Sequence, residues 1–299
     1  MEKRRGPLTF WRADTTDVKV IAAARIVVLF ACVFDGLCHA QDTSSRTAEN
    51  RPGDRIGARQ DLSKRTCPIG TGLREETAPI LLKYKEHPGM VMSPTTELAA
   101  QVFPKLKGWV RVLGSPSLDG LRQKAQKARD ERIPYEALGY GLETGKSTPE
   151  PEWHDLVGST RQARDIAQQF HKLLLMGPGF RLMSQNTDKY APMSALSELW
   201  VFQTQRFQID ASGDKYRQNV ADVLKQIRAG NPKIKIWAQI TLPPDREPNA
   251  EEWLAYHRCI ADLVDGTYVG AYTWRTESEQ LPKVIEAIFA DVYGGSKLH

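Results

Sequence analysis

Cysteine is scarce in this chain, with four in 299 residues, and two of them, Cys32 and Cys38, fall before residue 41. A fold of this size with so few thiols does not rest on a disulfide framework, and neither their number nor their spacing suits a zinc site. Histidine is nearly as rare. His87, His154, His171 and His257 show no HxH or HExxH spacing, which argues against a metal hydrolase. No metal and no cofactor is expected. A GxSxG elbow for a serine nucleophile is absent, as is a glycine-rich phosphate loop after the first strand-like run. The net charge is only +5, from 41 basic and 36 acidic side chains. Without a dense Lys/Arg stripe to follow a phosphate backbone, no nucleic-acid partner is expected. Internal repeats and low-complexity tracts are also missing beyond the N-terminal region.

What is present begins with a targeting pattern. Lys3, Arg4, Arg5, Arg12, Lys19 and Arg25 precede the apolar run IVVLFACVF at 26–34, and Cys38-His39-Ala40 leads into the polar run QDTSSRTAENRPGDR. Basic start, short apolar stretch and small residue describe a secretory signal peptide over residues 1–40, cut after Ala40. The apolar run is too short to span a bilayer comfortably, so no stable membrane span is expected after processing. An uncleaved anchor is the alternative. The protein is then secreted or periplasmic, and the mature chain keeps Cys67 and Cys259, which are free to pair or not. Residues 41–77 are polar at first and aperiodic, and read as a linker.

From residue 78 to 299 the texture changes. Short runs rich in β-branched and aromatic residues recur: GMVMSP at 89–94, WVRVLGSP at 109–116, YEALGYGLE at 135–143, FRLMSQN at 180–186, ELWVFQTQRF at 198–207, IKIWAQITL at 234–242 and GTYVGAYTW at 266–274. Between them lie helical stripes. Leu121, Ala125 and Ala128 share one face. Ala163, Ile166, Ala167, Phe170, Leu173 and Leu174 form another, with Ser159 as its cap and Gly177 as its stop. Val220, Val223, Leu224 and Ile227 form a third, ended by Gly230, and Asn249 caps the helix that follows. Strand and helix alternating over some 200 residues predict an α/β fold, a single (β/α) barrel of the TIM type with seven or eight strands. The eighth is sought near 79–84. A doubly wound open sheet is the alternative.

Barrels of this kind place working groups at the C-terminal ends of the strands. Tyr140 and Glu143 end the third run, Gln185 and Asn186 the fourth. Gln203 and Gln205 lie two apart on the fifth, Gln239 and Thr241 on the sixth, Tyr272 and Trp274 on the seventh, each pair sharing a face of its strand. Amides both donate to and accept from hydroxyls, and aromatic rings stack on a pyranose. Tyr140, Asn186, Gln203, Gln205, Gln239, Tyr272 and Trp274 are therefore candidate substrate-binding residues, with an oligosaccharide or polysaccharide as the expected partner. Glu143, the acid at a strand end, is the candidate general acid. It also has a plain reading, as a cap or as a partner of Lys146. A second carboxylate, normally required for glycoside hydrolysis, is not evident. Asp119, Asp210, Asp245 and Glu277 follow strand-like runs but sit in no motif.

The strand-end Glu in YGLE, the TPEPEW loop behind it, VFQTQRFQ and AGNPKIKIWAQI give residues 86–275 a texture that resembles exported glycoside-hydrolase-like barrel proteins. That resemblance implies a carbohydrate-active barrel in which Glu143 matches the position of the acid. It equally accommodates a barrel that binds glycans or other proteins without catalysis.

Overall fold

The computed structural model describes residues 67–145, 147–210, 213–242, 249–271 and 280–294, all within the unit Gly57–His299. The signal peptide, the linker up to residue 66, Lys146, Asp245, Tyr272, Trp274 and Glu277 lie outside these residues. Among the described residues no helix is long and apolar enough to cross a membrane.

Eight parallel strands close into a barrel in sequence order. They are β1 (Ile69–Gly72), β2 (Gly89–Ser93), β3 (Trp109–Ser115), β4 (Ala137–Tyr140), β5 (Leu173–Met176), β6 (Leu199–Gln203), β7 (Lys235–Leu242) and β8 (Gly266–Ala271). Helices α1 (Ala78–Lys83), α2 (Thr96–Val102), α3 (Leu118–Asp130), α4 (Glu150–His154) and α5 (Leu156–Gln169) serve the first half. The second half carries α6 (Phe180–Ser184), α7 (Tyr190–Ser194), α8 (Gln205–Asp210), α9 (Gly213–Gly230), α10 (Ala250–Ile260) and α11 (Gln280–Gly294). The expected α/β barrel is thus the observed one, with eight strands.

Two strands differ from expectation. The strand not located in the sequence is β1, ahead of residue 78, while 79–84 is largely the helix α1. IGTG is too short, and too poor in side chains, to leave a periodic signal. Pro79 instead suits the first turn of a helix. The strand expected at 180–186 lies earlier, at β5, and Phe180–Ser184 is α6. The run LLLM continues the apolar stripe of the preceding helix, so periodicity alone cannot separate the two. The backbone does: His171 takes φ 55°, which stops α5 before the strand begins. Ser159 is not the cap of that helix. Asp155 accepts from Gly158 N at 2.9 Å, and Ser159 Oγ donates to Glu152 O at 2.7 Å. Asn249 does cap α10, through Glu251 N at 2.9 Å.

Side chains alternate across each strand. Met90, Val112, Ala137, Leu175, Leu199, Val201, Trp237 and Tyr268 fill the barrel interior. Ile69, Leu113, Leu138, Trp200, Phe202 and Ile240 face the helices in the larger outer core. Both surfaces of the sheet are therefore apolar, as a parallel sheet covered by crossover helices requires. His257 belongs to this outer layer. It stacks on Trp253, with ring centroids 5.4 Å apart, and its Nδ1 lies 2.9 Å from Thr267 Oγ1. Burial pushes its pKa down to about 4, so it is a neutral packing residue at pH 7. Cys67 and Cys259 are both free thiols.

The N-terminal rim of the barrel follows a rule. The residue just before β4, β6 and β8 is an acid, and its carboxylate accepts the N–H of its neighbour on the preceding strand. Glu136 takes Arg111 N at 2.8 Å, Glu198 takes Leu174 N at 2.9 Å and Asp265 takes Ile236 N at 3.0 Å. Each acid also returns its own N–H to the carbonyl of that neighbour. Pro68 and Pro88 stand at this level before β1 and β2, and they offer neither N–H nor carboxylate. Here α11 supplies the link. Tyr293 Oη accepts from Ile69 N at 2.7 Å and donates to Pro88 O at 2.7 Å.

Removing that hydroxyl leaves a buried N–H without its acceptor, a cost of about 1–3 kcal/mol. Tyr293→Phe is expected to lower the unfolding free energy in a urea titration by that amount, with an unchanged slope. An unaltered midpoint would show that the rim closes without this link.

Candidate functional site

The C-terminal ends of the strands enclose a cavity of about 450 Å³. Its origin lies in the inward-facing positions of the top layer, where TIM barrels usually carry branched side chains. In this chain Gly72, Gly114, Gly139 and Gly177 line the cavity instead. Over some of these glycines a neighbour has moved in. A Cβ on Gly114 would lie 2.9 Å from Met92 Sδ, and one on Gly139 would lie 2.9 Å from Val112 Cγ1. Gly72 and Gly177 stay open, with nothing closer than 3.5 and 3.9 Å respectively. The floor is made by Leu175, Val201 and the Tyr268 ring.

Glu143 follows β4 and lines this cavity. Its stem lies over Gly179, where an added Cβ would come within 3.1 Å of Glu143 Cγ. Its backbone N–H donates to Thr148 Oγ1 at 3.3 Å, and that hydroxyl donates to Pro116 O at 2.8 Å. The loop is thus pinned to the end of β3. Glu143 is itself exposed, at the cavity rim, with its carboxylate held from the side. Gln203 Nε2 donates to Glu143 Oε1 at 3.2 Å.

The orientation of Gln203 is fixed from behind. Its Oε1 accepts from Phe180 N at 2.9 Å and from Gln205 Nε2 at 3.0 Å. Two donors on one oxygen leave the Nε2 group only one direction, toward Glu143. Gln203 and Gln205 do meet, although not as expected: the strand ends at Gln203, and Gln205 starts α8. Gln205 Oε1 is buried with no partner among the described residues, as is Thr241 Oγ1. Gln239 lines the cavity from β7 and packs over Gly270.

Other candidates are placed differently. Tyr140 lines the cavity from the end of β4, while its ring packs in the outer core and its Oη donates to Glu152 Oε2 at 2.7 Å. Asn186 lies beyond α6, away from a strand end, with Nδ2 bonded to Leu182 O at 2.9 Å. Asp119 is paired with Arg122 on α3. Of the charged residues that line the cavity, Glu143 is the one carboxylate among the described residues. No group of three or more His, Cys, Asp or Glu side chains among them could hold a metal.

Further residues brace or line the site. Glu152 braces it from outside, accepting from Tyr140 and from Leu118 N at 3.1 Å at the start of α3. Tyr268 stands in the same apolar run of the sequence as the aromatic candidates and at the same parity, so alternation alone points to it. Its hydroxyl makes no hydrogen bond to a described residue and faces Gly72 at the cavity floor. Burial pushes its pKa up and holds the phenol protonated, while the nearby Arg74 charge pulls the other way. Arg74 and Lys124 complete the lining.

The fold is a closed eight-stranded α/β barrel of the TIM type with a cavity at the C-terminal ends of its strands. No protein-family model matches the chain, and no curated protein matches it in sequence. Among solved structures it is similar to a putative alpha-L-fucosidase from Bacteroides thetaiotaomicron, with 9% identity, TM-score 0.52, and coverage of 83% of this chain and 99% of the other. It is also similar to a family 18 chitinase from Crocus vernus, with 7% identity, TM-score 0.50, and coverage of 74% and 98%. A 3-keto-L-gulonate-6-phosphate decarboxylase from Vibrio cholerae aligns with 7% identity, TM-score 0.46, and coverage of 76% and 98%. At these identities the likeness is one of fold, and a fold does not fix an activity.

The Tyr140–Glu152 pair gives a test of role. Tyr140→Phe is expected to lower the thermal midpoint by roughly 2–4 °C, the shift for a lost hydrogen bond of about 1 kcal/mol in a domain of this size. Any ligand bound in the cavity should keep its affinity. A lost affinity with an unaltered midpoint would show that the Tyr140 hydroxyl takes part in binding.

Proposed function

We propose that the cavity binds a saccharide and that Glu143 acts there as the general acid of a glycoside hydrolase-like reaction. The observation that carries this reading is the join between Glu143 and Gln203: a carboxylate at a strand end, aimed by an amide that is itself locked. Around it stand groups suited to hydroxyls, namely the amide of Gln239 and the phenol of Tyr268, above an apolar floor on which a sugar ring can lie.

One acid suffices when the substrate brings its own nucleophile. In that route Glu143 gives its proton to the glycosidic oxygen as the bond to the anomeric carbon breaks. The carbonyl oxygen of a 2-acetamido group on the same sugar forms the new bond to that carbon. Water then attacks, its proton returns to Glu143, and the acetamido group is released with configuration retained. A second reading, a glycan-binding barrel without catalysis, is favoured by a specific observation: Glu143 has no carboxylate facing it among the described residues that line the cavity.

The two readings separate in one experiment. The protein is incubated with a panel of oligosaccharides and polysaccharides, and both retention and new reducing ends are measured. Release that falls about 10²- to 10⁴-fold in Glu143→Gln, with folding and retention intact, is the result expected of a general acid. Retention without release supports the binder. The absence of both retention and release across the panel would sink the saccharide reading. Export is part of the proposal, because the pattern at 1–40 has the form of a signal peptide. N-terminal sequencing of protein from its native compartment should then begin at Gln41.

A further inference from the structure

The charged groups that line the cavity are Arg74, Lys124 and Glu143 among the described residues, and they are not evenly spread. Arg74 follows β1 and Lys124 stands on α3, behind β3, whereas Glu143 follows β4. Positive charge therefore gathers on the β1–β3 side. The acid and its amide partner Gln203 occupy the side toward β4–β6.

Neither cation is neutralised by a carboxylate among the described residues. The Arg74 guanidinium makes no hydrogen bond or ion pair with a described residue, though its backbone N–H is bound by Thr77 Oγ1 at 2.9 Å. Its charge is felt by the Tyr268 phenol at the floor. Lys124 Nζ donates to the carbonyl of Gly114, a neutral acceptor that occupies one of its three protons. Desolvation by burial pulls the Lys124 pKa down, against the weaker pull of Glu97. A half-buried ammonium with one neutral acceptor is costly unless a counter-charge arrives. Other long cations of this barrel illustrate the contrast. Arg111 lies on Glu136, Arg164 on Glu198 and Arg217 on Asp262.

We infer that the cavity takes a saccharide bearing an anionic group, which lodges between Arg74 and Lys124 while the neutral part of the ring lies against Gln203, Gln239 and Tyr268. This rests on the saccharide reading above and adds a charge requirement to it. The placement of the two cations sets the direction: among the described lining residues no cation stands on the Glu143 side, so the charged group of the ligand points toward β1–β3. A uronic acid carboxylate, a sulfate ester and a phosphate ester share the chemistry, and planar guanidinium recognition suits all three.

The test uses the full folded protein on an array that carries neutral, uronate-bearing, sulfated and phosphorylated glycans. Retained glycans should bear an anionic group, and the arm that is retained identifies which. Arg74→Gln should weaken that binding about tenfold or more, as expected for a lost charge-assisted hydrogen bond, and this variant removes no described side-chain contact that holds the fold. Lys124→Gln should do the same, with its thermal midpoint measured beside the affinity because it also loses the Gly114 contact. Binding should weaken as salt is raised. Retention of neutral glycans only, or of charged glycans with unchanged affinity in Arg74→Gln, overturns the charge requirement and leaves the saccharide reading standing. Retention of no glycan at all removes both.

Discussion

A parallel barrel begins with a hydrogen-bonding difficulty at its lower edge. Every strand starts with N–H groups whose partners on the next strand have not yet begun, and buried donors of that kind need acceptors. Glu136, Glu198 and Asp265 meet the need three times over, each placed one residue before an even-numbered strand. All three hold an arginine as well, so the same carboxylates tie strands to one another and to the surrounding helices. At β1 and β2 the prolines forbid this arrangement, and the hydroxyl of Tyr293 joins Ile69 to Pro88. The barrel's circular continuity, and with it the geometry of the cavity at the other end, depends on this ring of acceptors.

The upper end follows the opposite logic. Where the interior is filled by Trp237, Tyr268, Val112 and Leu175, the fold is sealed against water. One layer higher, glycines withhold their side chains, and Met92 and Gln239 only partly take up the space. What remains is a recess whose walls are amide, phenol and charge over an apolar base. Stability is concentrated at the bottom of the barrel, and the top is left free to vary.

Much of this was legible in the sequence, and the misses have physical causes. Helices with a clean stripe, such as α3, α9 and α10, and strands with flanking turn residues, such as β2, β3 and β7, could be read from periodicity and caps. β5 could not, because an all-apolar run carries no period and the break at His171 is a backbone event. β1 could not, because half of IGTG is glycine. At the site, Tyr140, Glu143, Gln203 and Gln239 stand out in the sequence by their strand-end positions, and all four line the cavity. The outward turn of Tyr140 was hidden by a parity that only the register of β4 reveals. Lys124 was unreadable: a lysine on an amphipathic helix reads as solvated, and only the packing of α3 on β3 brings its ammonium to a strand-end carbonyl. Arg74 was lost with the strand before it.

Closing the ring joins distant residues: Ile69 pairs with Thr267 across β1 and β8, and Tyr293 bonds Ile69 across 224 positions. Such a contact carries a large loop-closure entropy and forms only after the intervening chain is in place. Until then β1, the shortest kind of strand with two glycines, has one neighbour at most and little to hold it. The incomplete chain is accordingly a curved open sheet with two bare edges, the form in which strands pair with foreign partners. In this molecule the β1–β8 pairing removes both edges, and the Tyr293 hydroxyl on α11 holds the first strand in place beside its neighbour.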